Sequence, residues 1–292
     1  MLFINQHPVE ITKFPDGTSK FTCEAFLMVE QFVQRPHGTL VTWLYDNDAE
    51  LFTLQCIVDW LHSNGYRNIA LSMPYVPNAR MDRVPNNEMF TLKTFAKLIN
   101  SMNFTEVHTL DIHSNVGAAL IDNIVNHDPV ININMLFEEN HIPADVTMFF
   151  PDEGAMKRYS GIAKEFHRPY VFGMKNRDWK TGEIKGLSVL GETETVNDKD
   201  ILIIDDICSR GGTFYHSAKA LKDLGAKNIY LYVSHLENTV HDGEMITSGL
   251  IQEIFTTDSI YRADAAPVPG ETLSAKIRII DSYNSFNEST MM

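Results

Sequence analysis

Residues Ile201–Phe214 read Ile-Leu-Ile-Ile-Asp-Asp-Ile-Cys-Ser-Arg-Gly-Gly-Thr-Phe, and four features meet in that stretch. The apolar run Ile201–Ile204 has the composition of a strand buried on both faces. It ends in adjacent carboxylates, Asp205 and Asp206, and the short loop that follows closes on Gly211, Gly212 and Thr213. From Phe214 to Leu224 the residues Ala218, Leu221 and Leu224 recur at helical spacing, and Gly225 stands where a helix stops. Strand, acidic pair, glycine loop and helix therefore follow one another in that order.

Each part suits a phosphorylated pentose. Backbone N–H groups of residues 209–213, Ser209, Arg210, Gly211, Gly212 and Thr213, can turn inward around a phosphate, and the helix adds the partial positive charge of its N-terminus. Carboxylates accept hydrogen bonds from vicinal hydroxyls. Successive strand side chains point to opposite faces, so only one aspartate meets the sugar directly unless the strand bends at its end. Without a ligand, the stretch reads as a strand-to-helix turn with a solvated acidic end. The segment resembles the phosphoribosyl-diphosphate loop of the type I phosphoribosyltransferase fold.

The rest of the chain sets bounds on that reading. Its 292 residues suffice for two ordinary domains, and 44% hydrophobic against 21% charged residues is a globular balance. A formal charge of −14 argues against a broad nucleic-acid surface, so an anionic substrate must be met by local basic residues and divalent metal. Cys23, Cys56 and Cys208 lie far apart and form no CxxC, which suggests neither a disulfide framework nor a zinc knuckle. The opening MLFINQHPVE has no basic start, and a proline and a glutamate interrupt its apolar residues. With no membrane span or secretory leader to read, a cytoplasmic location is expected.

Strand patterns fall near residues 40–45, 69–75, 106–110, 146–150, 170–175, 201–205, 229–234, 253–256 and 276–280. Helical patterns fall at 50–63, 89–102, 116–124, 156–166 and 215–224. This alternation predicts mostly parallel sheets covered on both faces. A boundary near residue 145 gives domains 1–145 and 146–292, with the tail from about residue 275 outside that division, packing back on the N-terminal domain. An internal echo links the halves: Gly65-Tyr66-Arg67-Asn68-Ile69 and Gly225-Ala226-Lys227-Asn228-Ile229 each carry a glycine stop, a basic residue and Asn-Ile before a strand.

Four further segments, KFPDGTSKF (Lys13–Phe21), MPYVPNARMDR (Met73–Arg83), LDIHSNV (Leu110–Val116) and FPDEGAMKR (Phe150–Arg158), stand in order before the glycine loop. Together with that loop they resemble the ribose-phosphate pyrophosphokinase family from about Lys13 to about Ile260. The resemblance implies an α/β fold of two tandem phosphoribosyltransferase-like domains, the first on the ATP side and the second carrying the ribose 5-phosphate loop. It also implies magnesium, ATP as co-substrate, and a homo-oligomer whose subunits share the ATP site.

By the same resemblance, His113 is a ligand or partner of the magnesium–ATP unit, and Asp152 serves a second magnesium position. Magnesium keeps several waters and takes few protein ligands beside substrate phosphates, so a sparse set suffices. Read by themselves, His113 is a half-buried imidazole and Asp152-Glu153 a helix N-cap. Arg80, with Met81 and Asp82, follows a strand end where open α/β sheets place ligands, and is assigned to ATP; surface arginines are the plainer alternative. Met81 replaces a glutamine and Val84 a basic residue of the family pattern. The adenine loop is assigned to Phe14, Asp16 and Thr18, where Thr18 replaces a glutamate; otherwise Pro15-Asp16-Gly17 is a simple turn.

Lys175 and Arg177 share one strand face, so two cations can converge on one polyphosphate. The resemblance makes them catalytic, Arg177 also meeting substrate, at the opening of a glycine-containing lid from Asp178 to Glu192. A solvated charged hairpin is the alternative. Asp205 and Asp206 would hold the pentose and residues 209–213 its phosphate. Here Ser209-Arg210-Gly211-Gly212-Thr213 replaces an acidic-Thr-Ala-Gly-Thr pattern. The expected reaction moves the diphosphoryl group of ATP to the 1-hydroxyl of ribose 5-phosphate. A phosphoribosyltransferase acting on a base and a non-catalytic regulatory relative are the competing readings.

Overall fold

Parallel pairing dominates both main sheets, as runs like Ile201–Ile204 require, because a strand buried on both faces needs cover above and below. The computed structural model describes residues 1–24, 26, 38–84, 87–177, 184–265 and 275–282, of which 175–177, 184–186 and 265 are described in their backbone alone. The chain divides into two units, Met1–Asp128 and Pro129–Ser285.

The first unit contains β1 (Leu2–Ile4), β2 (His7–Pro8), β3 (Glu10–Lys13), β4 (Ser19–Thr22), β5 (Thr39–Trp43), β6 (Ile69–Ser72), β7 (Glu106–Leu110) and β8 (Ile124–His127). Its main sheet runs β2-β1-β5-β6-β7-β8, parallel from β5 to β8, with β1 antiparallel to β5. β3 and β4 pair apart from it as a hairpin. Helices Ala49–Ser63 and Thr91–Ser101 bury Leu54, Ile57, Val58 and Leu61, and Leu92, Phe95, Ala96 and Ile99, in the core that holds Val41, Trp43 and Leu71.

The second unit contains β9 (Thr147–Phe150), β10 (Tyr170–Arg177), β11 (Ile184–Gly191), β12 (Ile201–Cys208), β13 (Ile229–Leu236), β14 (Glu253–Thr257) and β15 (Lys276–Ile280). They lie in the order β11-β10-β9-β12-β13-β14-β15, and of the strands described in this sheet β11 alone runs antiparallel to its neighbour. Ile201, Ile203, Leu231 and Val233 pack on one face with helix residues Ala218 and Leu221. Leu202, Ile204 and Tyr232 pack on the other with Tyr159 and Ile162. The two-sided apolar run at the start of β12 is thus used on both sides.

Every expected strand forms. Four elements differ from the sequence reading. The units divide after Asp128 and not near residue 145, because helix Val130–Glu138, absent from the helices expected from sequence, buries Ile133 and Leu136 in the core of the second sheet. The expected helix 116–124 is the shorter Asn115–Leu120; Asn123, with φ 54°, then turns the chain into β8. Ile184–Gly191, expected within a lid, is a strand paired with β10, and residues 178–183 lie outside the described residues. Of the tail expected on the N-terminal domain, Lys276–Ile280 pairs with β14 in the second sheet, and 283–292 lie outside the described residues.

The echo between the halves has a structural counterpart. In each, the residue after the glycine bonds back into the helix, Tyr66 N–H to the Leu61 carbonyl and Ala226 N–H to the Leu221 carbonyl, both at 3.0 Å. In each, the asparagine carbonyl then accepts the first N–H of the preceding strand: Thr39 to Asn68 and Ile201 to Asn228, both at 2.8 Å. A β-α-β unit with the same closure occurs in both sheets.

Candidate active site

Strand order in the second sheet reverses at β9: the chain goes outward to β10 and β11, then returns to lay β12 on the other side of β9. Ligands of open α/β sheets bind outside the carboxyl ends of the strands at such a switch point. Asp152 follows β9, while Asp205, Asp206 and the glycine loop end and follow β12. The topology therefore gathers these residues at one end of the sheet, after adjacent parallel strands.

Asp152 caps helix Glu153–Glu165, its side chain accepting the Ala155 N–H at 3.0 Å. The first turns of that helix also carry Arg158, whose role its sequence neighbours do not show. Its Nη1 lies 3.3 Å from Asp206 Oδ1 and donates to the Tyr159 hydroxyl at 3.2 Å. Asp206 is buried, on the sheet face covered by that helix, whereas Asp205 is partly exposed. The two carboxyls nevertheless stay in contact: they share a side-chain hydrogen bond, and Asp205 Oδ1 accepts the Asp206 N–H at 3.0 Å, while Asp206 also meets the guanidinium. Burial, and next the Asp206 charge, hold the Asp205 carboxyl well above the usual carboxylate range, and Asp152 adds to the effect. A ligand bringing hydroxyl donors or a cation relieves that crowding.

Gly211 turns the loop into helix Gly212–Asp223 with φ 75°, a left-handed conformation, and a Cβ there would lie 2.7 Å from the Met245 sulfur and methyl. The segment after β13 backs the loop residue by residue. Glu237 accepts the Ser209 hydroxyl, Gly243 sits where a Cβ would overlap the Arg210 carbonyl, and Met245 meets Gly211. Arg210 is exposed and Gly212 opens the helix, so the 209–213 backbone leads into a helix N-terminus of the kind that binds phosphate. The Thr213 carbonyl is occupied by Ser217 Oγ at 2.8 Å.

Lys175 and Arg177 lie on β10, opposite Leu187 and Ile184 of β11, with a register irregularity between Asn176 and Arg177. Their side chains lie outside the described residues.

In the first unit, Phe14, Asp16 and Thr18 form the exposed tip of the β3–β4 hairpin. Asp16 accepts both the Thr18 N–H (2.9 Å) and the Thr18 hydroxyl (2.7 Å), and these bonds lower its pKa. Thr18 here shapes the turn. Arg80, exposed, and Met81 and Asp82, half-buried, follow β6; His113, half-buried, follows the adjacent parallel strand β7. The two segments are tied where they leave the sheet, Met73 N–H to the His108 carbonyl (2.8 Å) and Leu110 N–H to the Pro74 carbonyl (3.0 Å). Before His113 the chain turns at Asp111 (φ 46°), and Asn126 Oδ1, another contact the sequence did not announce, accepts Ile112 N–H at 2.9 Å and the Thr109 hydroxyl at 3.1 Å.

Among the described residues, no group of three or more His, Cys, Asp and Glu side chains could hold a metal by itself. That fits an ion carried largely by phosphates and water, for which one or two carboxylates suffice. Asp152 and Asp205, near enough for one charge to act on the other, are hard oxygen donors of that kind.

Two α/β units, the second with its acidic pair and glycine loop at a switch point, define an enzyme of the phosphoribosyltransferase-fold class. A crystallised phosphoribosylpyrophosphate synthetase from Mycobacterium smegmatis shares this fold with a TM-score of 0.73, over 96% of this chain and 88% of that one at 16% identity. The ribose-phosphate pyrophosphokinase of Rhizobium meliloti is 31% identical over 249 residues, 84% of this chain and 77% of the relative. That of Porphyromonas gingivalis is 25% identical over 96% of this chain and 85% of its own length. The chain belongs to the ribose-phosphate pyrophosphokinase family. No protein-family profile matches it.

Proposed function

We propose that the chain transfers the β,γ-diphosphoryl group of ATP to the 1-hydroxyl of ribose 5-phosphate, yielding 5-phosphoribosyl 1-diphosphate and AMP. The observation that carries this reading is the Asp205-Asp206 pair and glycine loop at the switch point of the second sheet, in a chain of this family. Asp205 accepts hydrogen bonds from the ribose hydroxyls, Asp206 is held by Arg158, and the 209–213 loop with the helix N-terminus takes the 5-phosphate.

The 1-hydroxyl oxygen attacks the β-phosphorus in line with the oxygen that bridges to the α-phosphate. As the new bond forms, the bridging bond breaks, AMP leaves and the hydroxyl proton is lost. Such transfer is mainly positioning and charge neutralisation. Lys175 and Arg177 supply the cations, Arg177 also meeting substrate, while Arg80 with Met81 and Asp82, the hairpin tip Phe14, Asp16 and Thr18, and His113 contact ATP. Magnesium, carried with ATP at His113 and at a second, separate position at Asp152, would neutralise polyphosphate charge. The protein works as a homo-oligomer with a shared ATP site, in the cytoplasm; among the described residues no helix is long and apolar enough to cross a membrane.

The test is AMP release by purified protein with magnesium and ATP. AMP and phosphoribosyl diphosphate should form one for one and only with ribose 5-phosphate; product from phosphoribosyl diphosphate and a nucleobase without ATP would replace this reading. Lys175→Ala should cut turnover by about a hundredfold or more with the fold intact, and near-normal turnover would remove its catalytic role.

A further inference from the structure

The hydroxyl of Ser209 has one proton, and it is committed to Glu237 at the end of β13. Thr239 Oγ1 donates to the same Glu237 oxygen at 3.2 Å, and the Glu237 N–H donates to the Cys208 carbonyl at 2.8 Å. The carboxylate is therefore anchored from its backbone and its tip, and it is half-buried. The turn after it needs only backbone, the Glu237 carbonyl accepting the Val240 N–H at 3.0 Å. That turn does not use the side chain, whose carboxylate accepts from Ser209 and Thr239.

With its proton directed at Glu237, Ser209 Oγ offers lone pairs on its other side. An oxygen polarised by a carboxylate is a stronger acceptor than an ordinary hydroxyl. It sits at the first position of the pentose loop, three residues after Asp206, where the resembled loop pattern carries an acid. We infer that Glu237 is a positioning residue for the pentose: acting through Ser209, it makes that hydroxyl an acceptor for a ribose hydroxyl and supplies from β13 the carboxylate the loop lacks. The inference rests on the ribose 5-phosphate reading of this loop. It assigns a role to a residue 28 positions from its hydrogen-bond partner, one joined to the loop only because β12 and β13 pair in parallel.

The test is the dependence of AMP release on each substrate in wild type, Glu237→Gln, Ser209→Asp and the double variant. Glu237→Gln should raise KM for ribose 5-phosphate about tenfold, with kcat and KM for ATP within about threefold, since a charge-assisted bond is roughly twice as strong as a neutral one. Ser209→Asp alone crowds two carboxylates and should weaken ribose 5-phosphate binding. Ser209→Asp with Glu237→Gln moves the single carboxylate onto the loop and should return KM to within about threefold of wild type, a rescue that general loosening of the loop cannot give. A Glu237→Gln enzyme with unchanged KM, a fall in kcat alone, or a double variant no better than the worse single overturns the inference while leaving the functional reading intact. Wild-type protein indifferent to ribose 5-phosphate overturns both.

Discussion

Replacing Arg158 with methionine keeps an unbranched side chain and removes the guanidinium, which lies over the Tyr159 ring and 3.3 Å from Asp206. The Asp206 side chain is only 5% exposed, so water cannot take the cation's place. Removing one partner of a buried pair typically costs about 3–5 kcal/mol. A ceiling follows from protonation: a buried carboxylate that has lost its cation can bind a proton, which at pH 7, from an unfolded value near 3.9, costs about 1.36 kcal/mol for each unit, or about 4 kcal/mol. At pH 5 the same route costs about 1.5 kcal/mol. The sign is that of an acid whose pKa is raised in the folded variant: the penalty is absent below the unfolded value and grows as pH rises. Whole-chain unfolding of a two-unit protein need not be two-state, so amide hydrogen exchange of Ile201–Ile204 at pH 5, 6 and 7 is the suitable assay. The loss of protection in Arg158→Met should grow by up to about 1.4 kcal/mol per pH unit, and adding Asp206→Asn should remove most of it. A loss below about 1 kcal/mol, or one that does not change with pH, would refute the reasoning, since lost packing is indifferent to pH.

Asp205→Asn should raise the melting temperature of the ligand-free protein at pH 8 and abolish the stabilisation that ribose 5-phosphate provides; because the Asp205 carboxyl is held well above its ordinary value, the gain should fade as pH drops toward the unfolded value, and a gain constant with pH would be the contrary result. Gly211→Ala combines left-handed strain of about 1–2 kcal/mol with overpacking against Met245 of about 1–3 kcal/mol, so denaturation and ribose 5-phosphate titration should both show losses, and Met245→Ala in the same chain should recover only part of the packing loss, because the Met245 Cβ, 2.9 Å from the added methyl, stays in place.

Much of the fold is legible along the chain because it depends on local pattern. Ile201–Ile204, too apolar for a one-sided strand, specifies helices on both faces, and the paired Gly-x-basic-Asn-Ile turns mark the same β-α-β closure twice. Helix Val130–Glu138 escaped because its apolar residues, Val130, Ile131, Ile133 and Leu136, sit among asparagines that read as loop; burial of Ile133 and Leu136 against the second sheet overrides that preference. β11 escaped because the glycines at 186 and 191 read as lid residues, although cross-strand pairing with β10 accommodates both.

The candidate site divides the same way. Asp152, Asp205, Asp206 and the 209–213 loop are named by their own neighbours in the sequence, since capping, strand ends and glycine turns are short-range physics. Which aspartate is the more buried, the guanidinium that holds it, the carboxylate that takes the Ser209 proton and the asparagine that fixes the turn before His113 come from tertiary structure alone. Arg158 and Glu237 reach the loop only after β9, β12 and β13 have aligned side by side, and no residue-to-residue spacing encodes a partner that parallel pairing brings from a distant turn of the chain.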